Sequence, residues 1–138
     1  MTKKTKKLLI LYFFAAILVV SIITVKIYNK PFINIAESKP SLSLASEALL
    51  SDFINDESTA NTMYLEELIQ VNGTITAIEK GKDGNDIITL GNENTIGSII
   101  CHLSKNEKNL KTGQEISIKG ICTGYLMDVI LVKCVIVP

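Results

Sequence analysis

Arginine and tryptophan are absent from this 138-residue chain, and histidine occurs once, at His102. Without arginine there are no guanidinium forks, the grip that nucleic-acid interfaces ordinarily use on phosphate and guanine. A single histidine leaves no imidazole cluster for a metal. It also has no thiol nucleophile beside it in a triad-like arrangement, so His102 reads as a surface or half-buried polar residue. Cysteine is limited to Cys101, Cys122 and Cys134, with no C-x-x-C spacing. Cys101 and His102 are sequence neighbours, which in a strand sends their side chains to opposite faces, so they cannot readily hold one ion together. Acidic residues are plentiful but lie at loops. Glu66, Glu67, Asp83 and Asp86 read as solvated surface, and Asp83–Asp86 lacks the extended spacing and closing glutamate of a calcium loop. The expectation is therefore no catalytic, cofactor-binding or metal site, and no enzyme activity.

What is present begins with an uncharged run, Leu8–Val25, LLILYFFAAILVVSIITV. As a helix it spans roughly 27 Å, close to a hydrocarbon core. The run has no polar side, and in lipid its backbone must pair internally, so a helix is the expected form. Ser21 and Thr24 can bond back to the preceding turn, and Tyr28 suits an interface. Lys3, Lys4, Lys6 and Lys7 precede the run, against Lys26 and Lys30 after it. The positive-inside rule then puts residues 1–7 in the cytoplasm as a basic tail, residues 8–28 across the bilayer, and the rest on the extracytoplasmic side. The run is longer than a signal h-region, and VKIYNKP offers no small-x-small cleavage site.

Overall neutrality conceals an asymmetry. Residues 31–138 hold eight lysines against fourteen acids, a formal charge of −6. Such a domain is repelled by nucleic acid and by an anionic membrane surface. Residues 29–42, with Pro31 and Pro40, read as a short tether that keeps the domain near the membrane. Residues 43–57 read as an amphipathic helix with Ser43 as N-cap and a stripe of Ala45, Ala48, Leu49, Leu50, Phe53 and Ile54. A further helical turn is expected over 58–67. The period then changes to two. Leu68–Ile78 is a strand with Ile69, Val71, Gly73, Ile75 and Ala77 on one face, and Gly73 marks a bulge or tight curvature. Shorter strands are expected at 86–90, 95–102 and 114–120, followed by a final strand at about 128–137. The result is a mainly β fold: a five-stranded barrel over residues 43–137, preceded by a short α-helix.

Cys122 and Cys134 flank a strand–turn–strand near Tyr125–Asp128, which makes them a candidate disulfide. The alternative is two small buried thiols, with Cys101 a core side chain. Candidates for a ligand face are Tyr64, Lys119, Tyr125 and Asp128. Of these, Tyr64 reads more readily as a packing residue, and Asp128 as a structural residue that caps or ends its turn.

Three segments resemble the tRNA_anti-like family of bacterial OB-fold domains, many of them membrane-anchored or exported. These are Val71-Asn72-Gly73-Thr74-Ile75, then Leu110–Gly120, then Gly120–Leu131 with Cys134–Val137, whose G-x-C-x-G…DV-x-L…C pattern is the more specific. The resemblance covers roughly residues 44–137 and implies an OB barrel with a preceding helix. It implies no enzyme. The family name suggests nucleic acid, but a single-strand site needs basic residues among stacking aromatics, which this composition does not supply. The function expected is a non-catalytic binding or structural module at the cell envelope, with an envelope protein, peptide or glycan as partner. Nucleic-acid binding and thiol chemistry are the alternatives.

Overall fold

The computed structural model describes residues 2–29 and 34–138. The expected tether residues Lys30, Pro31, Phe32 and Ile33 lie outside the described residues. The chain divides into two compact units, residues 1–33 and 34–138.

The first unit is a single helix, α1 (Lys3–Tyr28), with every described side chain exposed. Its mean hydropathy reaches 2.9, and it is long and apolar enough to cross a membrane. Thr24 Oγ donates back to the carbonyls of Val20 and Ser21, so its hydroxyl needs no outside partner in an apolar medium.

The second unit runs β1 (Leu42–Ala45), α2 (Ser46–Asn55), α3 (Glu57–Tyr64), β2 (Leu68–Lys80), β3 (Asp86–Leu90), β4 (Ile99–Leu103), β5 (Glu115–Leu126) and β6 (Asp128–Val137). The sheet order is β1-β2-β3-β4-β6-β5, and a β2–β5 pairing closes strands β2 to β6 into a five-stranded barrel. β4 and β6 are parallel and the other barrel pairs antiparallel. Alternate residues face inward, among them Ile69, Val71 and Ile75 of β2, Ile88 and Leu90 of β3, Ile99 and Cys101 of β4, Ile118 of β5, and Val129 and Leu131 of β6. Closure leaves no open edge along most of the barrel, and the unit has its own hydrophobic core.

Four expectations are corrected by the structure. The first concerns the helix, which begins at Ser46, not Ser43. Residues 42–45 are extended and pair in parallel with Ile69–Asn72, so their backbone groups are satisfied by the sheet rather than by a helical turn. Asp56 divides the helical stretch in two: its carboxylate accepts from Thr59 N at 3.1 Å and Thr59 Oγ at 2.7 Å, starting α3 afresh. The buried stripe of α2 is narrower than its sequence pattern, with Leu49, Leu50 and Phe53 inside but Ala45, Ala48 and Ile54 exposed.

The irregularity in β2 also lies elsewhere. The register shifts between Ile75 and Ala77, so Ile78 rather than Ala77 returns to the core. Gly73 is needed for close approach: a Cβ there would lie 2.6 Å from Ser46 Oγ and 2.9 Å from Ser46 Cβ. The expected tether is shortened as well. Ile35 is buried, Lys119 Nζ donates to the carbonyls of Ala36 and Ser38, and Ser41 N donates to Leu68 O, so residues 34–41 are fastened to the barrel.

The fourth correction concerns the disulfide. All three cysteines are free and buried. Cys122 lies opposite Leu131, three residues short of Cys134. Lys133 adopts a left-handed φ of 53°, and the β5–β6 register shifts between Lys119 and Ile121. That extra residue turns Cys134 inward against Gly120, where a Cβ would sit 2.5 Å from its Sγ. The sulfur neighbour of Cys134 is Cys101. A hydrogen bond with Cys134, together with burial, pushes the Cys101 thiol well above its usual range, and burial raises Cys122.

Gly73→Ala should destabilise the barrel by about 1–3 kcal/mol through overpacking, and Ser46→Gly in the same chain should restore most of the loss, read by chemical denaturation. The three thiols, all buried, should resist iodoacetamide in the native state at neutral pH, while denaturant exposes all three, read by intact mass.

Candidate functional site

The helices close one end of the barrel. α2 lies where the C-terminal ends of β3 and β5 meet the N-terminal ends of β4 and β6: Ser46 approaches Gly73, and Leu50 approaches Gly97. Phe53 is the centre of this plug. Its ring stacks on Tyr125 at 5.5 Å and tilts against Tyr64 at 5.9 Å. The Tyr64 hydroxyl donates to Asp52 Oδ2 at 2.6 Å; burial and this carboxylate push its pKa up to about 12.

The four residues singled out as a ligand face are therefore dispersed. Tyr64 is buried in the plug. Lys119 is buried too, its ammonium spent on two carbonyls of the segment leading into β1. Tyr125 is half-buried against Phe53. Asp128 Oδ1 accepts from both N and Oγ of Ser98 at 2.8 Å, which ties the β5–β6 turn to the start of β4. The structure brings only Tyr64 and Tyr125 together, through Phe53.

Several surfaces of the barrel unit remain open. The first is the outer face of β3 and β4, the side on which OB barrels generally receive ligands. Here it shows Ile87, Thr89, Ile100 and His102, of which only His102 is exposed. The Lys80–Asp86 turn beside it is rigid. Gly81 N donates to Asn85 O, Asp83 accepts from Asn85 N and Nδ2, and Lys80 pairs with Asp86 at 2.6 Å. Those hydrogen bonds from Asn85 lower the Asp83 pKa, with a smaller contribution from His102. Asn106 stitches the 104–113 loop to the same turn through Asp86 N and Gly84 O. That loop carries the exposed Lys105, Lys108 and Lys111.

The second is a groove of about 660 Å³ outside β2, lined by Thr74, Thr76, Asn92 and Thr112 and flanked by Glu47 and Glu93. Its hydroxyls, amide and carboxylates suit a neutral polar or cationic ligand. They include no cysteine, histidine or lysine.

Sequence reasoning passed over Ile96, Leu126 and Met127, which stand exposed on two turns of the helical end. The signal was available: apolar residues at turns, where polar ones are the rule.

The tRNA_anti-like family model matches residues 1–136. No curated protein matches the chain. Among solved structures, a Klebsiella pneumoniae lipoprotein, provisionally described as nucleic-acid-binding, superposes with a TM-score of 0.56 at 21% identity, covering 71% of this chain and 93% of that one. At that identity the likeness is one of fold. The family match spans the apolar helix as well as the barrel, and the barrel has the strand order and parallel β4–β6 pair of an OB domain. On these grounds the chain belongs to the tRNA_anti-like family.

Proposed function

We propose that this protein is a non-catalytic, membrane-anchored OB module of the cell envelope that binds a polypeptide or glycan rather than nucleic acid. α1 serves as the retained anchor, with its lysine-rich start in the cytoplasm and the barrel on the extracytoplasmic side. The observation that carries the reading is the fate of the aromatics. Phe53, Tyr64 and Tyr125, the only aromatics among the described residues of the barrel unit, are consumed by the plug. The β3–β4 face keeps no phenylalanine, tyrosine or tryptophan, only the single imidazole of His102, and a row of stacking rings is what sequence-tolerant single-strand binding rests on. The formal charge of −6 over residues 31–138 works in the same direction.

The second reading is single-strand binding. Lys105, Lys108 and Lys111 in one loop beside the β3–β4 face favour it.

The two separate experimentally. With a photocrosslinking residue at position 102 in native membranes, adducts should be sensitive to protease or glycosidase and insensitive to nuclease. Single-stranded DNA and RNA should bind no tighter than about 10⁻⁴ M even at low salt, where a non-specific binder would bind tighter than the roughly 10⁻⁴–10⁻⁶ M it shows at physiological salt. Nuclease-sensitive adducts, or tight binding lost on changing the three loop lysines to alanine, establish the second reading and remove the first.

A further inference from the structure

The helical end of the barrel carries an apolar ridge. Ile96 is 85% exposed, Leu126 82% and Met127 76%, with Ile54 at 51% and Leu65 at 42% beside them. The two turns bearing the first three are locked together. A Cβ on Gly97 would lie 2.5 Å from the Met127 carbonyl, and Asp128 holds Ser98 by two hydrogen bonds. Ile54 and Ile96 line one shallow cleft and Leu65 and Leu126 another, and the approach of Gly97 to the Met127 carbonyl brings the two turns together, so these side chains gather at one end of the barrel. Met127 holds a left-handed φ of 66° at the tip of that turn, a conformation glycine or asparagine would adopt more readily. An exposed apolar patch of this kind marks an interaction surface.

Its charge defines the partner. Glu47 flanks the first cleft and Glu57 the second. No lysine occurs between Lys39 and Lys80, from residue 83 to 104, or from residue 120 to 132, the stretches that build this end. We propose that the ridge docks a cationic amphipathic polypeptide, apolar on one side with lysine or arginine along its flanks. An anionic bilayer or nucleic acid meets repulsion from the same carboxylates. A second copy related by a two-fold axis would set acidic rim against acidic rim. The proposal rests on the reading of the chain as a binding module, and it places the contact away from the β3–β4 face.

The test uses residues 34–138, which have their own core and closed barrel. The probes are a synthetic leucine–lysine helix, its leucine–glutamate counterpart, and oligolysine of equal length, with chemical shifts as the readout. The leucine–lysine peptide should bind and perturb Ile96, Leu126 and Met127. Oligolysine and the glutamate peptide should bind at least about tenfold more weakly. The combined Ile96→Ser, Leu126→Ser and Met127→Ser variant, altered only at exposed positions, should lose about tenfold or more while keeping its denaturation midpoint. Equal binding to wild type and variant, equal binding of both charged peptides, or no binding of the leucine–lysine peptide overturns the proposal. So does ridge-dependent binding to phosphatidylcholine vesicles in its place. Crosslinks from position 102 that persist in the triple variant leave the module reading standing even where the ridge proposal fails.

Discussion

Phe53 packs at the point where two helices, a hairpin and the inner faces of the barrel strands meet. A five-stranded barrel is narrow enough for side chains to fill its middle, but its ends must be sealed by other elements. Here the seal comes from sequence that precedes the first barrel strand. Leu49, Leu50 and Phe53 of α2 enter the core, Tyr64 of α3 backs them, and Tyr125 of β5 closes over the ring. Removing a buried phenylalanine ordinarily costs about 3–5 kcal/mol, a large part of the 5–15 kcal/mol that stabilises a typical domain. The close approaches at Gly73 and Gly97 are conditions for the same seal, since they let α2 come down on the strand ends.

This constraint bears on function. Aromatics that would otherwise be available for stacking are committed to the plug, and Lys119, the one buried lysine among the described residues, is committed to the carbonyls of Ala36 and Ser38. The outer β3–β4 face keeps one exposed side chain, His102, beside a rigid turn. The exposed apolar surface gathers instead at the plugged end, on turns that the plug itself holds in place. The proposed reading therefore assigns this barrel ligands other than the nucleic acid that the family name suggests, in keeping with one fold serving many functions.

Much of the architecture was legible because local patterns and tertiary demands agree. The period-two run at Leu68–Ile75 became a barrel strand with Ile69, Val71 and Ile75 inward as expected, and the final strand expected at about 128–137 became β6. Agreement failed where one residue changed the phase. The irregularity between Ile75 and Ala77 sends Ile78 inward in place of Ala77, and the left-handed Lys133 turns Cys134 toward Cys101 rather than Cys122. A bulge shifts every later side chain by one face, and nothing in the residue types at Thr76 or Lys133 announces it. The placement of Tyr64, Lys119, Tyr125 and Asp128 was not legible for a different reason: a polar side chain goes inside only where the fold supplies it a partner, and those partners lie far away in the chain.

By itself the sequence determined the apolar helix, the acidic character of residues 31–138, the count and order of the barrel strands, and the family. The first three depend on composition or on periodicity within one segment, and the family on a resemblance carried by motifs in three segments. Tertiary structure alone decided that residues 42–45 form a strand, that Lys119 fastens the segment before it, that the aromatics meet in one plug, and that Ile54, Ile96, Leu126 and Met127 share a ridge. Those facts join positions far apart in the chain. They result from closing a barrel, which sets strand ends side by side regardless of their distance in sequence.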